Sequence, residues 1–126
     1  MDNKSVTSIN KNYEFQRLYR RGESAAGAYF VLYARRNGKN INRLGITVSK
    51  KVGKAVQRNR AKRRLKELYR TNSHRLKKGY DIVIVARASA VTAPYDGLKR
   101  AYFWAIRKTG VASDNAGKSA KITRKN

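Results

Sequence analysis

The chain has 126 residues, with 31 Lys and Arg against seven Asp and Glu, a formal net charge of +24 and an isoelectric point of 11.1. That length predicts one domain, and that charge goes far beyond what solubility requires, pointing to nucleic acid as a partner. The absence of cysteine excludes disulfides and Cys-based zinc sites, and no apolar run approaches the roughly 20 residues of a membrane span.

Residues 1–9 are polar and predict a flexible N-terminal arm; the stretch 1–15, with acids at Asp2 and Glu14 and no apolar run, makes neither a secretory signal nor a good transit peptide. Asn12 is placed to cap a short helix carrying Phe15, Leu18 and Tyr19 at i, i+3, i+4, with Gly22 predicted as a left-handed C-terminal cap. In AYFVLYARR, Phe30, Leu32 and Ala34 alternate with Tyr29, Val31 and Tyr33, the period of a strand. RNGKN (36–40) predicts a hairpin turn at Asn37-Gly38, leading into RLGITVSK, where Leu44, Ile46 and Val48 alternate with Gly45, Thr47 and Ser49. Each strand so has an aliphatic face and a face of aromatic, small or hydroxylic residues. A helix is predicted from about Ala55, and a strand through the unbroken apolar run Ile82–Ala86. Pro94 opens a last helix with Leu98, Ala101, Tyr102, Ala105 and Ile106 on one stripe, and Gly110 closes it. Phe103 and Trp104 lie off that stripe, where they either widen the buried face or mark a contact surface. Residues 111–126 predict a disordered basic tail, leaving 10–110 as the ordered domain. The order α-β-β-α-β-α, with an extra short strand near Ser24 to Gly27, predicts an α+β fold: a two-layer sandwich with a βαβ crossover.

The most informative stretch is KKVGKAVQRNRAKRRLKELYR, residues 50–70, with ten Lys or Arg and one acid, Glu67. At 100° per residue, Ala61, Leu65 and Leu68 fall within about 60° of one another. Asn59, Lys62, Arg63, Lys66 and Arg70 gather on the opposite side, and Arg60 and Arg64 lie on one flank. A merely solvated face would alternate Glu with Lys to gain i,i+4 pairs; this one does not. Uncompensated positive charge opposite a buried stripe calls for a dense anion, and nucleic acid supplies one phosphate per nucleotide. A membrane-binding helix would instead need a broad Trp/Phe/Leu face.

The residues point away from the polypeptide as a hydrolytic catalyst, although distant members of its seven acids could still meet in space. The one histidine, His74, reads as a surface residue, and no two acids lie within four residues of each other, so there is no local two-metal pattern. Asp81, at the start of the apolar strand, reads as a structural carboxylate.

The run Ser49-Lys50-Lys51-Val52-Gly53-Lys54 continuing to Arg58-Asn59-Arg60-Ala61-Lys62-Arg63-Arg64-Leu65 resembles the signature of the protein subunit of bacterial ribonuclease P. Phe15-Gln16-Arg17, Phe30 to Tyr33, Gly45 to Ser49 and Asp81 to Arg87 match in the family's order, so that the resemblance spans about residues 10–109. It implies a fold like the second domain of ribosomal protein S5, with a left-handed βαβ crossover, contrary to the right-handed rule for such units. It also implies an endoribonuclease subunit that is not itself the catalyst. The RNA subunit would carry out Mg²⁺-dependent removal of the 5′ leader from precursor tRNA, holding most of the Mg²⁺ itself, in the cytoplasm, with no obligatory protein partner.

Two RNA-binding surfaces follow. Lys50, Lys51, Lys54, Arg58, Asn59, Arg60, Lys62, Arg63, Arg64 and Lys66 are the expected site for the catalytic RNA, since Arg suits bidentate phosphate contacts; Asn59 either joins them or orients Arg58. Phe15, Tyr19, Tyr33, Thr47 and Ser49 are the expected leader-binding cleft, with Gly45 in its floor, because aromatic rings stack on bases without reading sequence. On pattern alone, Phe15 and Leu18 read as core; the resemblance moves Phe15, Tyr19 and Tyr33 toward binding. Composition alone suits a ribosomal or RNA-chaperone protein equally well, and co-purification with one stoichiometric RNA separates the two. A DNA-architectural protein would need apolar wedges and an arginine-bearing arm. If the basic helix engages roughly six to ten phosphates, affinity for RNA should fall about 10³- to 10⁵-fold between about 50 and 200 mM salt. A salt titration of binding checks this, and a flat profile would rule the helix out as the binding surface.

Overall fold

An apolar run with no polar side of its own must be covered on both faces, and Ile82–Ala86 finds that cover at the centre of a five-stranded sheet. The computed structural model describes residues 6–113. They form β1 (Thr7–Ser8), α1 (Asn12–Arg21), β2 (Glu23–Ala26), β3 (Phe30–Arg36), β4 (Arg43–Thr47), α2 (Ala55–Thr71), β5 (Tyr80–Ala86) and α3 (Tyr95–Lys108). Short 3-10 turns occupy Lys50–Val52, Ser73–Arg75 and Ala88–Ala90. The strand order is β1-β4-β5-β3-β2, with β5 parallel to β4 and antiparallel to β3.

The predicted hairpin is therefore corrected: β3 and β4 do not pair, because β5 lies between them. The turn chemistry at Asn37-Gly38 is real but closes a wider loop. Gly38 takes φ +73°, the Asn37 carboxamide oxygen accepts from Lys39 N at 2.7 Å, and Asn37 Nδ2 donates to Ile41 O at 3.1 Å. The short strand near Ser24 is present as β2, pairing antiparallel with β3.

The two faces of the sheet differ as their alternation predicts. Phe30, Leu32, Ala34, Leu44, Ile82 and Ile84 turn toward α2 and α3, where Ala61, Leu65, Leu68, Leu98, Tyr102 and Ile106 complete the main core. On the other face, Val83 packs with Leu18 and Ile9, bordered by Phe15, Tyr19, Tyr33 and Val85. Helix α1 covers part of this second face and leaves Val31, Tyr33, Thr47 and Val85 partly open.

Backbone bonding fixes the hand of the crossover. Asn37 N donates to Gly79 O at 2.8 Å and Arg87 N to Tyr29 O at 3.0 Å, so odd-numbered residues of β3 aim their N–H and C=O at β5. Tyr33, in this set, turns its side chain toward α1. An L-residue on an upward strand with its side chain toward the viewer carries those groups to the right. Seen from the α1 side, β5 and then β4 lie to the right of an upward β3, both run downward, and α2 is behind. The path β4–α2–β5 is therefore left-handed, against the usual rule.

Several boundaries shift. Residues 6–9, assigned to the flexible arm, are tied down: Thr7 and Ser8 pair with Arg43 and Leu44, Ile9 N donates to Leu44 O at 2.9 Å, and Ile9 is 4% exposed. Val111 to Ser113, assigned to the tail, likewise belong to the body. Val111 is fully buried, Lys77 N donates to Val111 O at 2.9 Å, and Ser113 N donates to Arg75 O at 2.7 Å. Such pairings are too short to leave a periodic signal. The rest of the predicted arm and tail, residues 1–5 and 114–126, lies outside the described residues. At α1, Lys11 rather than Asn12 is the capping position. Gly22 is extended, at φ −79°, and its role is close approach: a Cβ there would stand 2.7 Å from Leu18 O. Gly110 does adopt the left-handed conformation, at φ +84°. Phe103 widens the buried face of α3, whereas Trp104 is 40% exposed.

Asp81 is the structural carboxylate expected. Arg43 grips it through Nε to Oδ1 at 2.9 Å and Nη2 to Oδ2 at 2.7 Å, Asn37 Nδ2 adds a bond at 2.9 Å, and Arg43 also reaches Glu14 at 3.0 Å. This network joins α1, β4, β5 and the loop after β3. Burial pushes the Asp81 carboxyl up, but the bonds from Arg43 and Asn37 and the charges of Arg43 and Lys39 outweigh it and hold it below its ordinary value. A depressed carboxyl contributes its full stabilisation at neutral pH and loses it as pH falls below about 4. Asp81→Asn should therefore cost about 3 kcal/mol at neutral pH and flatten the acid limb of stability. Urea denaturation of both proteins from neutral pH down to about pH 3 checks this, and parallel acid limbs would show that Asp81 is not the group titrating.

Candidate nucleic-acid interface

Helix α2 begins at Ala55, as its periodicity predicts, and buries Ala61, Leu65 and Leu68 completely. The entry is a 3-10 turn capped by Ser49, whose hydroxyl accepts from Lys51 N at 3.3 Å. Gly53 follows at φ +145°, a conformation that suits glycine. Lys50, Lys51, Lys54, Asn59, Lys62, Arg63 and Lys66 are all exposed, and none of these cations has an acid partner among the described residues. Arg58 is half-buried and donates to Gly53 O at 3.4 Å. Glu67, the stretch's one acid, pairs with Arg70 at 2.6 Å.

Two of the expected phosphate ligands have another occupation. Arg60 Nε donates to Val91 O at 2.9 Å; Arg64 Nη1 donates to Ala90 O at 2.9 Å and Val91 O at 3.1 Å, and its Nη2 to Ala93 O at 2.6 Å. Together they clamp the segment before α3 onto α2. Burial, then the neighbouring charge of Arg60, pushes the Arg64 guanidinium down from its ordinary value, which for arginine is high enough that it stays a cation. The sequence carried two signals for this: both side chains flank the buried stripe, and small residues at Ala88, Ala90 and Ala93 let a guanidinium reach backbone oxygens.

On the other face of the sheet, four of the five expected cleft residues converge. The Phe15 ring lies over Gly45, where a Cβ would stand 2.6 Å from Cε1. Tyr19 meets Tyr33 edge-on with centroids 5.0 Å apart, and the Tyr19 hydroxyl shares a 3.2 Å hydrogen bond with Thr47 Oγ1. Ser49 continues β4 beyond this group, where its hydroxyl serves the 3-10 turn. Phe15 also lines an edge groove of about 190 Å³ with Ser8, Asn10, Gly45, Lys62 and Lys66. That groove joins the aromatic face to the basic helix around β1, a link no sequence pattern announced, because it depends on a two-residue strand.

Among the described residues, no three His, Cys, Asp or Glu side chains gather into a metal site. Glu14 and Asp81 are held by Arg43 and Glu67 by Arg70, while His74 is exposed at the end of α2. An α+β fold with an exposed cationic helix on one side of its sheet and an aromatic cleft on the other is the architecture of an RNA-binding protein. Comparison with known proteins narrows this. The ribonuclease P family matches residues 4–110. The chain is 49% identical over 104 residues to the ribonuclease P protein component of Clostridium botulinum (strain Langeland), covering 82% of this chain and 94% of that protein. It is 38% identical over 113 residues to that of Clostridioides difficile, covering 89% and 99%. Among solved structures, the Staphylococcus aureus RNase P protein superposes with a TM-score of 0.74 at 33% identity, covering 86% of this chain and 98% of that one. The Thermotoga maritima protein gives 0.68 at 31%, covering 75% and 90%. The chain belongs to the ribonuclease P protein family.

The clamp and the free face of α2 should separate on mutation. Arg64→Ala strips a charged donor from three carbonyls and should lower stability by about 2 kcal/mol. Arg63→Ala, at an exposed position, should leave stability within about 0.5 kcal/mol while weakening RNA binding. Urea midpoints for the two variants check this; coincident midpoints would mean the clamp contributes nothing.

Proposed function

We propose that this chain acts as the protein component of ribonuclease P, bound to the catalytic RNA through the exposed face of α2 and receiving the 5′ leader of precursor tRNA in the aromatic cleft. Family membership supports the first part; the second rests on one observation, the grouping of Phe15, Tyr19, Tyr33 and Thr47 over a floor lowered by Gly45. Rings with that spacing offer stacking platforms for unpaired bases, and stacking tolerates any sequence, as a leader that varies between substrates requires. The small floor lets a backbone approach closely. The groove past Lys62 and Lys66 offers positive charge to phosphates leaving the cleft.

In this reading the polypeptide contributes affinity and orientation, and the hydrolytic step belongs to the RNA. Mg²⁺ held mainly by the RNA would supply the activated water and neutralise phosphate charge; the protein's part is to hold the leader so that the scissile bond meets that centre. The setting for such a particle is the cytoplasm, where tRNA matures; no helix among the described residues is long and apolar enough to cross a membrane.

Reconstitution with the catalytic RNA and precursor tRNA tests the reading. Tyr33→Ala should weaken binding of leader-bearing precursor by about 1–3 kcal/mol, the value of one stacked base, and leave mature tRNA unaffected. Tyr33→Phe, which keeps the ring, should behave like the native protein. Equal losses for precursor and mature tRNA would refute the cleft.

A further inference from the structure

Beyond these two surfaces, we infer that Tyr95 and Arg63 form a pocket for an unpaired nucleobase of the catalytic RNA. This rests on the reading that α2 binds that RNA, and adds a second kind of contact to it. Tyr95 is the first residue of α3 and is 43% exposed, although it belongs to a helix whose stripe of Leu98, Tyr102, Ala105 and Ile106 is fully buried. Its ring borders a depression of about 290 Å³, whose other walls are Arg63, Arg64 and Glu67 of α2.

Each wall has a separate consequence. The Tyr95 ring supplies a face for stacking, and Arg63, exposed and without an acid partner among the described residues, supplies a planar cation that stacks or bonds to an adjoining phosphate. Glu67 has both carboxylate oxygens engaged by Arg70, Oε1 at 3.2 Å from Nε and Oε2 at 2.6 Å from Nη2, so it adds its side-chain stem to the wall. The surface between the walls is almost wholly apolar, which suits the flat face of a base and gives a bare phosphate or an acidic peptide little to bond. A ring beside a guanidinium therefore fits a base whose own phosphate lies against Arg63.

The pocket is built in advance of its occupant. Arg64 holds Ala90 O, Val91 O and Ala93 O, and Ala93 lies two residues before Tyr95. The clamp sets the start of α3 against α2, so that binding need not order the aromatic wall. Position decides which RNA is the occupant. Tyr95 lies on the α2–α3 side of the sheet and the aromatic cleft on the other, and the groove from the cleft meets α2 at Lys62 and Lys66, on the flank opposite Arg64 and Tyr95; an RNA lying along α2 is therefore the occupant.

Binding of the full chain to the ribonuclease P RNA, measured across a salt series, tests this. Tyr95→Ala should weaken binding about tenfold with an unchanged salt slope, because no phosphate contact is lost. Tyr95→Trp and Tyr95→Phe should retain native affinity, and Tyr95→Leu, which keeps apolar bulk without a ring, should behave like the alanine variant. Arg63→Ala should instead reduce the salt slope by about one. Native affinity in both Tyr95→Ala and Tyr95→Leu would overturn the pocket, as would a lowered salt slope in those variants. A loss confined to precursor tRNA, with RNA-subunit binding intact, would also overturn it. If the native chain itself failed to bind the RNA, the parent reading would fall and this inference with it; loss of binding in the variants alone cannot be confused with that result.

Discussion

Burial of β5 on both faces is the constraint on which the rest of the structure depends. Ile82, Val83 and Ile84 are all fully buried, and a strand of that kind can only sit inside a sheet with cover above and below. Its insertion between β3 and β4 makes those strands non-neighbours and makes α2 the crossover between β4 and β5. The face where Ile82 and Ile84 point then needs α2 and α3, and the face where Val83 points needs α1. The basic helix and the aromatic cleft are thus set on opposite sides of one sheet by the covering requirements of three side chains.

That separation suits a protein that joins two RNAs. In the proposed reading, the face assigned to the catalytic RNA is not the face assigned to the leader, so attachment through α2 would leave the cleft open to successive substrates. The edge groove at β1 runs between the two surfaces, lined by Lys62 and Lys66 together with Phe15.

With so few acids, the fold has to choose where its cations are held. Arg43 takes both Asp81 and Glu14, concentrating two of the scarce carboxylates at one junction of α1, β4 and β5. Arg60 and Arg64 form no ion pair among the described residues and use backbone carbonyls instead. Arginine can do this because its planar fork donates in several directions at once; a lysine could not satisfy three carbonyls around one loop in the same way. On α2 and its approach, Lys50, Lys51, Lys54, Lys62, Arg63 and Lys66 are exposed and form no ion pair among the described residues.

Much of the site was legible in the sequence because it rests on local periodicity. The stripe Ala61-Leu65-Leu68, the exposed run of Lys62, Arg63 and Lys66, and the common face of Tyr33 and Thr47 all follow from the 3.6- and two-residue repeats. The apolar run at Ile82 likewise announced a buried strand. What local patterns do not carry is partner choice between distant segments. Nothing near Asn37-Gly38 tells that β5 will separate the strands it appears to join, and nothing within residues 6–9 or 111–113 tells that they find an edge or a crevice. The left-handed crossover came from the family resemblance, since pattern alone argues for the opposite hand. The division of labour among the arginines was decided only in three dimensions. Arg60, Arg63 and Arg64 are chemically alike, but Arg60 and Arg64 on one flank of α2 bond the carbonyls at Ala90, Val91 and Ala93, and Arg63, about 60° to 100° further round the helix, does not. The sequence by itself determined that this chain presents a cationic helix and an aromatic strand face; the tertiary structure decided which of those cations are held by the protein's own backbone and which stay exposed on the helix, because only folding brings the carbonyls before α3 against one flank of α2.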